Sequence, residues 1–432
     1  QKLEELRRPG GLSLSDAQVE DVRRLLRADS IPDLRRWLVT QQIRRHLYHY
    51  PPLPLKIHRR LAHHELARLQ ELLPRVPGIH VSSGYGRVYP QGTCGAHFVG
   101  YLKRYYPSPE EAREAYFFYP EQVGVQGLER QFQQELAGRV GYRFLRVDSI
   151  GYYHEDERVP KPAVNGQDVV LTIDARAQRI AQRLLYRYEG ALVLMDIHSG
   201  AVKALVSSPS YDVNRFNADY NELVQDYRRP LINRALKGDY MPGSIVKPLV
   251  AAMALEHGVI TPESLYYCEG HYRIGNRPIR CHGPEGHGNI DVRYALEDSC
   301  NPFFIELGMR MGIENLLTIY RAAGLGRDPN FEVAGLGKSG RLPSPVAIGS
   351  GWSKFNTALL SIGQGPMSIS PLQAAVFTAA IANGGTVYRP RMVSEFRRPD
   401  GGHSFVARPQ AVGRLPISPE YLELVRLGMH DV

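Results

Sequence analysis

A serine and a lysine three positions apart are the residues of this chain whose types and spacing most clearly suggest chemistry. Ser244 and Lys247 follow the break at Pro242-Gly243, and residues 249–257 have the composition of a helix. An i, i+3 spacing puts both side chains on one helix face, within hydrogen-bond reach. An unprotonated lysine can take the proton of a serine hydroxyl and activate it as a nucleophile. The alternative is a helix-capping serine beside a solvated lysine.

A second polar group follows at Ser299, Cys300 and Asn301. It lies between a predicted helix at residues 292–298 and an apolar run that begins at Pro302. The motifs S-x-x-K, S-D-N and K-T-G occur together in penicillin-binding proteins and class A β-lactamases. The second group therefore favours the nucleophile interpretation of the first.

The chain resembles the penicillin-binding proteins along most of its length. Gly286-His287-Gly288 and the Ser-Ile-Gly-Gln-Gly run at 361–365 are similar to the class B transpeptidases of cell elongation, the penicillin-binding protein 2 type. The resemblance implies an α+β fold. Residues 166–432 would form a penicillin-binding, serine-acyltransferase domain, an antiparallel sheet packed by helices. Residues 1–165 would form an extended, non-catalytic α+β pedestal of the dimerisation type.

The resemblance also implies an activity. A peptidoglycan D,D-transpeptidase would cross-link stem peptides through an acyl-serine intermediate in lateral wall synthesis, and β-lactams would inhibit it. Ser244 would be the nucleophile, Lys247 the general base, Ser299 a proton relay and Asn301 the group that holds the peptide backbone. A D,D-carboxypeptidase or β-lactamase that uses water, and a penicillin sensor or scaffold without turnover, are the alternatives.

The implied partners and location also come from the resemblance. The partners are lipid II-derived glycan with its stem peptides, a SEDS-type polymerase in the membrane, and an elongation scaffold protein on the pedestal. The class has one N-terminal membrane anchor, with the catalytic domain on the outer face of the membrane. No apolar run of about 18 residues or more occurs here, so we expect the anchor to be missing from this sequence.

The third motif is not found where the family has it. Lys338-Ser339-Gly340 matches K-[ST]-G, but it lies in a Gly/Pro-rich stretch that is typical of a loop. It also precedes residues 361–365, whereas in the resembled class the third motif follows them. We therefore predict that this match is a loop, and that the true motif lies beyond Val432.

Three of the four cysteines lie close together in the sequence and suggest a metal site. Cys268, Cys281, His287 and Cys300 have the spacing C-x12-C-x5-H-x12-C. A Cys3His set is a usual tetrahedral shell for zinc. A Cys268–Cys281 disulfide beside a buried Cys300 thiol, or three free thiols, are the alternatives. Cys94 is isolated and is predicted to belong to the core.

Composition limits the choice of function without deciding it. The 432 residues suggest more than one domain, and 43% of them are hydrophobic, as in a globular protein. The net charge of +9 would suit nucleic acid, an anionic membrane or an acidic polymer. Nucleic acid is disfavoured because the chain has no basic run interleaved with aromatics, no zinc-finger spacing and no phosphate-binding loop. Peptidoglycan fits this charge.

The N-terminal part is predicted to be structural. Residues 16–28 and 58–73 have apolar side chains at helical spacing. Arg87 and Glu129 match residues of the family's pedestal, and we predict that they form a structural ion pair rather than a catalytic one.

Overall fold

The computed structural model describes residues 63–72, 81, 86–105, 122–139, 141, 146–147, 153–154, 162–237, 239–332 and 340–432. The predicted helix at 16–28 and the residues Lys338 and Ser339 lie outside this part. The contacts divide the chain into two compact units. One contains residues 1–86 and 141–162, and the other contains residues 87–140 and 163–432. Residues 87–140, which the sequence assigns to the pedestal, thus pack with the second unit.

The described part of the first unit is small. It contains helix α1 (His63–Leu72) and one antiparallel pair of strands, β3 (Arg146–Val147) and β4 (Tyr153–His154). Strands are numbered along the whole chain, and β1 and β2 belong to the second unit. The helix lies within the predicted segment 58–73.

The second unit contains the remaining helices and strands. Its helices are α2 (Ala96–Val99), α3 (Gly127–Gln131), α4 (Gln133–Ala137), α5 (Ala175–Leu185), α6 (Phe216–Gln225), α7 (Lys247–Glu256), α8 (Val292–Glu297), α9 (Asn301–Ala322), α10 (Pro345–Gly349), α11 (Lys354–Ser361), α12 (Pro371–Ala382) and α13 (Pro419–His430). Its strands are β1 (Leu102–Arg104), β2 (Gln122–Gly124), β5 (Asp168–Leu171), β6 (Gly190–Met195), β7 (Val202–Ser208), β8 (Tyr266–Cys268), β9 (His271–Ile274), β10 (Arg277–Arg280), β11 (Gly288–Ile290), β12 (Thr386–Tyr388), β13 (Val393–Arg397), β14 (His403–Val406) and β15 (Ala411–Arg414). Within the described ranges, no helix is long and apolar enough to cross a membrane.

The sheets are built from antiparallel pairs, as the sequence predicts. Strands β6 and β7 form a hairpin, and β13 pairs with both β5 and β14. Helix α5 is fixed on the hairpin by Gln178, whose side-chain amide exchanges two hydrogen bonds with the backbone of Leu205 (2.9 and 2.8 Å). In the sequence, residues 168–173 have the pattern of a strand, residues 175–188 that of an amphipathic helix, and residues 190–197 and 201–207 that of a hairpin. The structure has all three elements.

The core that carries the candidate site is helical. Helix α7 is buried from Lys247 to Leu255, so it is surrounded on all sides rather than lying on a surface. It packs against α9 and α13 within one apolar cluster, and Tyr320 of α9 donates a hydrogen bond to the Leu360 carbonyl at the end of α11 (2.9 Å). Two helix caps set the path of the chain between α7 and α9. Asp291 caps α8 through the N–H groups of Arg293 and Tyr294, and Cys300 is the N-cap residue of α9.

The predicted structural ion pair is present. Arg87 Nε lies 3.1 Å from Glu129 Oε1, and Tyr89 donates its hydroxyl to the same oxygen (3.1 Å). Glu129 lies on α3 and is buried, whereas Arg87 is partly exposed. The carboxylate therefore joins the chain at 87–89 to α3, far along the sequence from Ser244.

Replacing Glu129 tests this structural assignment. Glu129→Ala should lower the free energy of unfolding by about 1–2 kcal/mol, because a buried acceptor of two donors is lost. Glu423→Ala is the matched control. It removes an exposed i, i+3 pair with Arg426 and should cost less than about 0.5 kcal/mol. Urea denaturation followed by fluorescence measures both. A loss of penicillin labelling at unchanged stability would contradict the structural assignment.

Candidate active site

Ser244 lies at the exposed end of a buried helix. A 3-10 turn over Gly243–Val246 leads directly into α7, and Ser244 is solvent-exposed while Lys247 is only 2% exposed. The turn is fixed by a hydrogen bond from the Gly243 N–H to the Gly363 carbonyl (2.8 Å). A Cβ at Gly363 would lie 2.0 Å from the Gly243 oxygen, so only glycine fits there. The Ser-Ile-Gly-Gln-Gly segment thus packs against the 3-10 turn that carries Ser244 and fixes its position.

The Lys247 amine is held by the second motif. Its Nζ donates to the Ser299 carbonyl (2.6 Å), to Ser299 Oγ (3.0 Å) and to Asn301 Oδ1 (2.8 Å). An ammonium has three donors, and these three acceptors use all of them. The structure therefore brings three of the four predicted catalytic residues into direct contact.

The predicted direct contact between Ser244 and Lys247 is not made. Among the residues that the structure describes, no hydrogen bond joins Ser244 Oγ to Lys247 Nζ. The reason is that the i, i+3 spacing crosses from the 3-10 turn into the helix, while the acceptors of the second motif occupy the amine. A neutral amine has only two donors and a lone pair, which is then available to a serine hydroxyl.

Burial sets the protonation of Lys247. Removal from water lowers its pKa to about 8, against a smaller opposing effect of the nearby Cys300 and Cys281 sulfurs. The Phe304 ring, 5.4 Å from Nζ to its centroid, faces the same amine. Proton removal from Lys247 is therefore much easier than from an exposed lysine, as a general base requires.

Ser299 has a strained backbone. It follows α8 directly and has φ of 48°, in the left-handed region that residues with a side chain rarely adopt. This conformation directs both its carbonyl and its hydroxyl to the Lys247 amine. Strain of this kind is common where a side chain must be held in position for chemistry.

The Asn301 amide has one defined orientation. Its Oδ1 accepts from Lys247, and its Nδ2 donates to the Arg280 carbonyl at the end of β10 (3.0 Å). A flipped amide would put its NH2 against an amine and its oxygen against a carbonyl. The hairpin of β9 and β10 thus fixes the amide and leaves one N–H of Nδ2 available to a ligand.

The four predicted metal ligands converge beside this network. The ligand atoms of Cys268, Cys281, His287 and Cys300 all lie within 4.8 Å of one another, and the four cysteines of the chain are free thiols. Strands β8 and β11 pair so that Cys268 lies opposite Gly288. Gly286 has φ of 81°, and a Cβ there would lie 2.1 Å from the Cys268 carbonyl. Gly286, which precedes His287, therefore allows this segment to approach the backbone at Cys268 closely.

The distances fit a tetrahedral zinc ion. Zn–S bonds of about 2.3 Å and Zn–N bonds of about 2.0–2.1 Å give S···S edges of about 3.8 Å and S···N edges of about 3.6 Å. Cys281 Sγ lies 3.9 Å from Cys300 Sγ and 3.6 Å from His287 Nδ1. Burial raises the pKa of the Cys300 thiol, opposed by the Phe303 N–H, so a cation would have to displace its proton.

Comparisons with known proteins agree with this geometry. Residues 190–432 match the family model of the penicillin-binding protein transpeptidase domain, and residues 12–171 match that of the penicillin-binding protein dimerisation domain. The peptidoglycan D,D-transpeptidase MrdA of Salmonella typhimurium is 31% identical over 94% of this chain. The chain spans 66% of that relative's length.

The solved structures that are similar to the chain include two that cover most of it. PBP2 of Pseudomonas aeruginosa, in complex with WCK 5153, is 30% identical with a TM-score of 0.66; the match covers 81% of this chain and 75% of the other. A structure described as "Structural coordination of polymerization and crosslinking by a peptidoglycan synthase complex" is 26% identical with a TM-score of 0.71. That match covers 90% of this chain and 70% of the other.

The sequence did not predict that the backbone carbonyl of Arg280 contacts the Asn301 amide. Arg280 acts through its backbone, so the residue type carries no signal. Its position immediately before Cys281, a predicted metal ligand, was the only available clue.

The rate of β-lactam acylation should depend on pH through Lys247. Below its pKa of about 8, the neutral, basic fraction rises about tenfold per pH unit and then levels off. The acylation rate should therefore rise from pH 6 and reach a plateau near pH 8–9, as stopped-flow measurements with a chromogenic cephalosporin would record. A rate that is flat over this range would contradict Lys247 as the base.

Proposed function

The chain belongs to the penicillin-binding protein transpeptidase family, and from this premise we propose that it is a peptidoglycan D,D-transpeptidase of the elongation type. Its substrates are stem peptides that end in D-Ala-D-Ala, and β-lactams inhibit it by acylating the same serine. The observation that carries the proposal is the Lys247 amine, buried, with a lowered pKa, and hydrogen-bonded to Ser299 and Asn301 next to an exposed Ser244.

The reaction follows from the positions of these groups. Neutral Lys247 takes the proton of Ser244 Oγ as that oxygen attacks the carbonyl carbon of the penultimate D-Ala. The negative charge on the carbonyl oxygen is stabilised by the Ser244 N–H, an interaction worth about 3 kcal/mol in comparable sites. When the C–N bond breaks, the proton passes from Lys247 through Ser299 Oγ to the leaving D-Ala amine. An amine of a second stem peptide then attacks the acyl-serine and forms the cross-link.

Asn301 holds the donor peptide during both steps. One N–H of its Nδ2 is bound by Arg280, and the other is available to a peptide carbonyl. Because the Oδ1 is bound to Lys247, a peptide held by Asn301 lies next to the base.

The partners and location follow from relatives that are similar over most of the chain. The peptidoglycan synthase complex described above couples polymerisation to cross-linking. We infer an analogous membrane polymerase of the SEDS type here, with an elongation scaffold protein on the pedestal. With these partners, the catalytic unit would lie on the outer, periplasmic face of the cell membrane. The enzyme would then act in maintaining cell shape.

A structural zinc ion completes the proposal. Cys268, Cys281, His287 and Cys300 would hold it, and bound there it supplies structural stability rather than chemistry on the substrate. It would fix β8, β11 and the start of α9 to one another, and with them the Arg280 carbonyl and Asn301.

Fluorescent penicillin labelling tests the catalytic assignment. Ser244→Ala should abolish labelling while the fold is retained, and peptide mapping should find the adduct on Ser244. Lys247→Ala should lower the acylation rate by about three to four orders of magnitude, because the nucleophile loses its base. An adduct on Ser299 or Ser339 would reject the assignment.

The products of turnover separate transpeptidation from the alternatives. Incubation with lipid II, a polymerase and a second stem peptide should give cross-linked dimers. Release of D-Ala by hydrolysis alone would indicate a carboxypeptidase, and stoichiometric acylation without turnover would indicate a sensor.

Zinc content tests the metal proposal. The purified protein should contain one zinc per chain, and Cys281→Ser should lower both the zinc content and the melting temperature. Cys94→Ser is the control, since Cys94 lies outside the cluster, and it should change neither. Acidification should release the metal, because protons compete for the thiolates. A metal-free protein with a 268–281 disulfide in the mass spectrum would reject zinc and leave the transpeptidase proposal intact.

A further inference from the structure

The hairpin of β9 and β10 is strongly basic. Residues 271–280 contain Arg273, Arg277, Arg280 and His271, and no acidic residue. All three arginines are exposed. A basic surface at the edge of a site attracts anionic ligands and orients them.

The hairpin is fixed rigidly to the candidate site. The Tyr272 hydroxyl donates to Glu306 of α9 (2.9 Å), the Cys281 N–H donates to the Gly270 carbonyl (2.8 Å), and Asn301 donates to the Arg280 carbonyl (3.0 Å). Tyr272 and Ile279 form a cross-strand pair, and both pack on the main core. The hairpin therefore holds its arginines at fixed positions beside the second motif.

The three arginines differ in their contacts. The Arg277 guanidinium lies 5.5 Å from the centroid of the Phe355 ring of α11. Arg273 Nε donates to His271 Nε2 (2.9 Å). Among the described residues, no ion pair or side-chain hydrogen bond engages the Arg280 guanidinium. Its backbone is nevertheless the one that contacts Asn301.

Arg280 also lies on the outer face of the hairpin. The register pairs it with His271, while Ile279 and Tyr272 occupy the packed face. A peptide that accepts from the second N–H of Asn301 would be held next to Arg280, because the Arg280 carbonyl accepts from the first N–H of the same amide. An unpaired guanidinium there can bind a carboxylate in bidentate fashion.

We propose that Arg280 is a specificity-determining residue that binds a free carboxylate inside the peptide substrate, distinct from the terminal carboxylate of D-Ala-D-Ala. This inference rests on the proposed function, because it assigns the substrate chemistry of the same site. The peptide therefore needs an internal acidic residue for full affinity.

Equilibrium binding to a Ser244→Ala background tests this proposal without turnover. The probes are two synthetic pentapeptides that end in D-Ala-D-Ala and differ only in one internal D-Glu, with its carboxylate free or amidated. The free acid should bind about tenfold more tightly than the amide, the order expected for one charge-assisted pair. Adding Arg280→Gln should remove this preference, because the guanidinium is lost while the backbone carbonyl that holds Asn301 is kept. Arg280→Lys should restore part of it.

Arg273→Gln is the matched control. It removes the same charge from the same face of the hairpin. Because Arg273 pairs with Pro278 and so lies two register positions farther along the strands than Arg280, its loss should leave the preference for the acid unchanged within about twofold.

Three outcomes would overturn the proposal: equal weakening of both peptides by Arg280→Gln, an unchanged preference, or the same loss in Arg273→Gln. Absence of binding by either peptide would count against it as well. Penicillin labelling of Ser244 in the unaltered protein distinguishes a failure of this proposal from a failure of the proposed function. If labelling occurs but the preference does not depend on Arg280, only the hairpin proposal fails. If no labelling occurs, the proposed function fails and this inference fails with it.

Discussion

The arrangement of the second unit depends on one buried amine. Lys247 is 2% exposed within an apolar helical core, and a buried charge of this kind must be paired or hydrogen-bonded. All its acceptors belong to Ser299 and Asn301, where the chain enters α9, and this part of the chain must therefore lie directly against α7. Ser299 adopts a strained, left-handed backbone conformation, and in this conformation two of its oxygens accept from the same amine. The strain raises the free energy of the folded state locally. Apolar packing of α7 against α9 offsets this backbone strain.

The elements around the turn control the chemistry indirectly. Asn301 is oriented at one end by Lys247 and at the other by the Arg280 carbonyl. Arg280 is in turn next to Cys281, one of four converging metal-ligand side chains. A change at the cysteine cluster would reach the base through two hydrogen bonds. This connection gives the proposed zinc ion a way to influence Lys247 without contacting it.

Sequence alone predicted what depends on local pattern. The hairpin of β6 and β7, the helices α5 and α8, and the convergence of Cys268 with Cys300 follow from periodicity, turn residues and ligand types. The 3-10 conformation at Ser244 and the missing bond from Ser244 to Lys247 could not be predicted, because both depend on where Ser299 and Gly363 lie in the fold. The Arg280 carbonyl is a backbone group that any residue would supply, and only the register of β9 and β10 places it beside Asn301.

Two basic residues that both contact Asn301 have opposite requirements in the proposed mechanism. Lys247 must lose its proton to act as a base, and burial lowers its pKa to about 8. Arg280 must keep its charge to hold a carboxylate, and it is exposed on the outer face of a hairpin. An amine at position 280 would bind a carboxylate as a point charge without the bidentate geometry. In the proposed mechanism the lysine thus changes its protonation for catalysis, while the planar guanidinium supplies the two parallel donors that a carboxylate accepts.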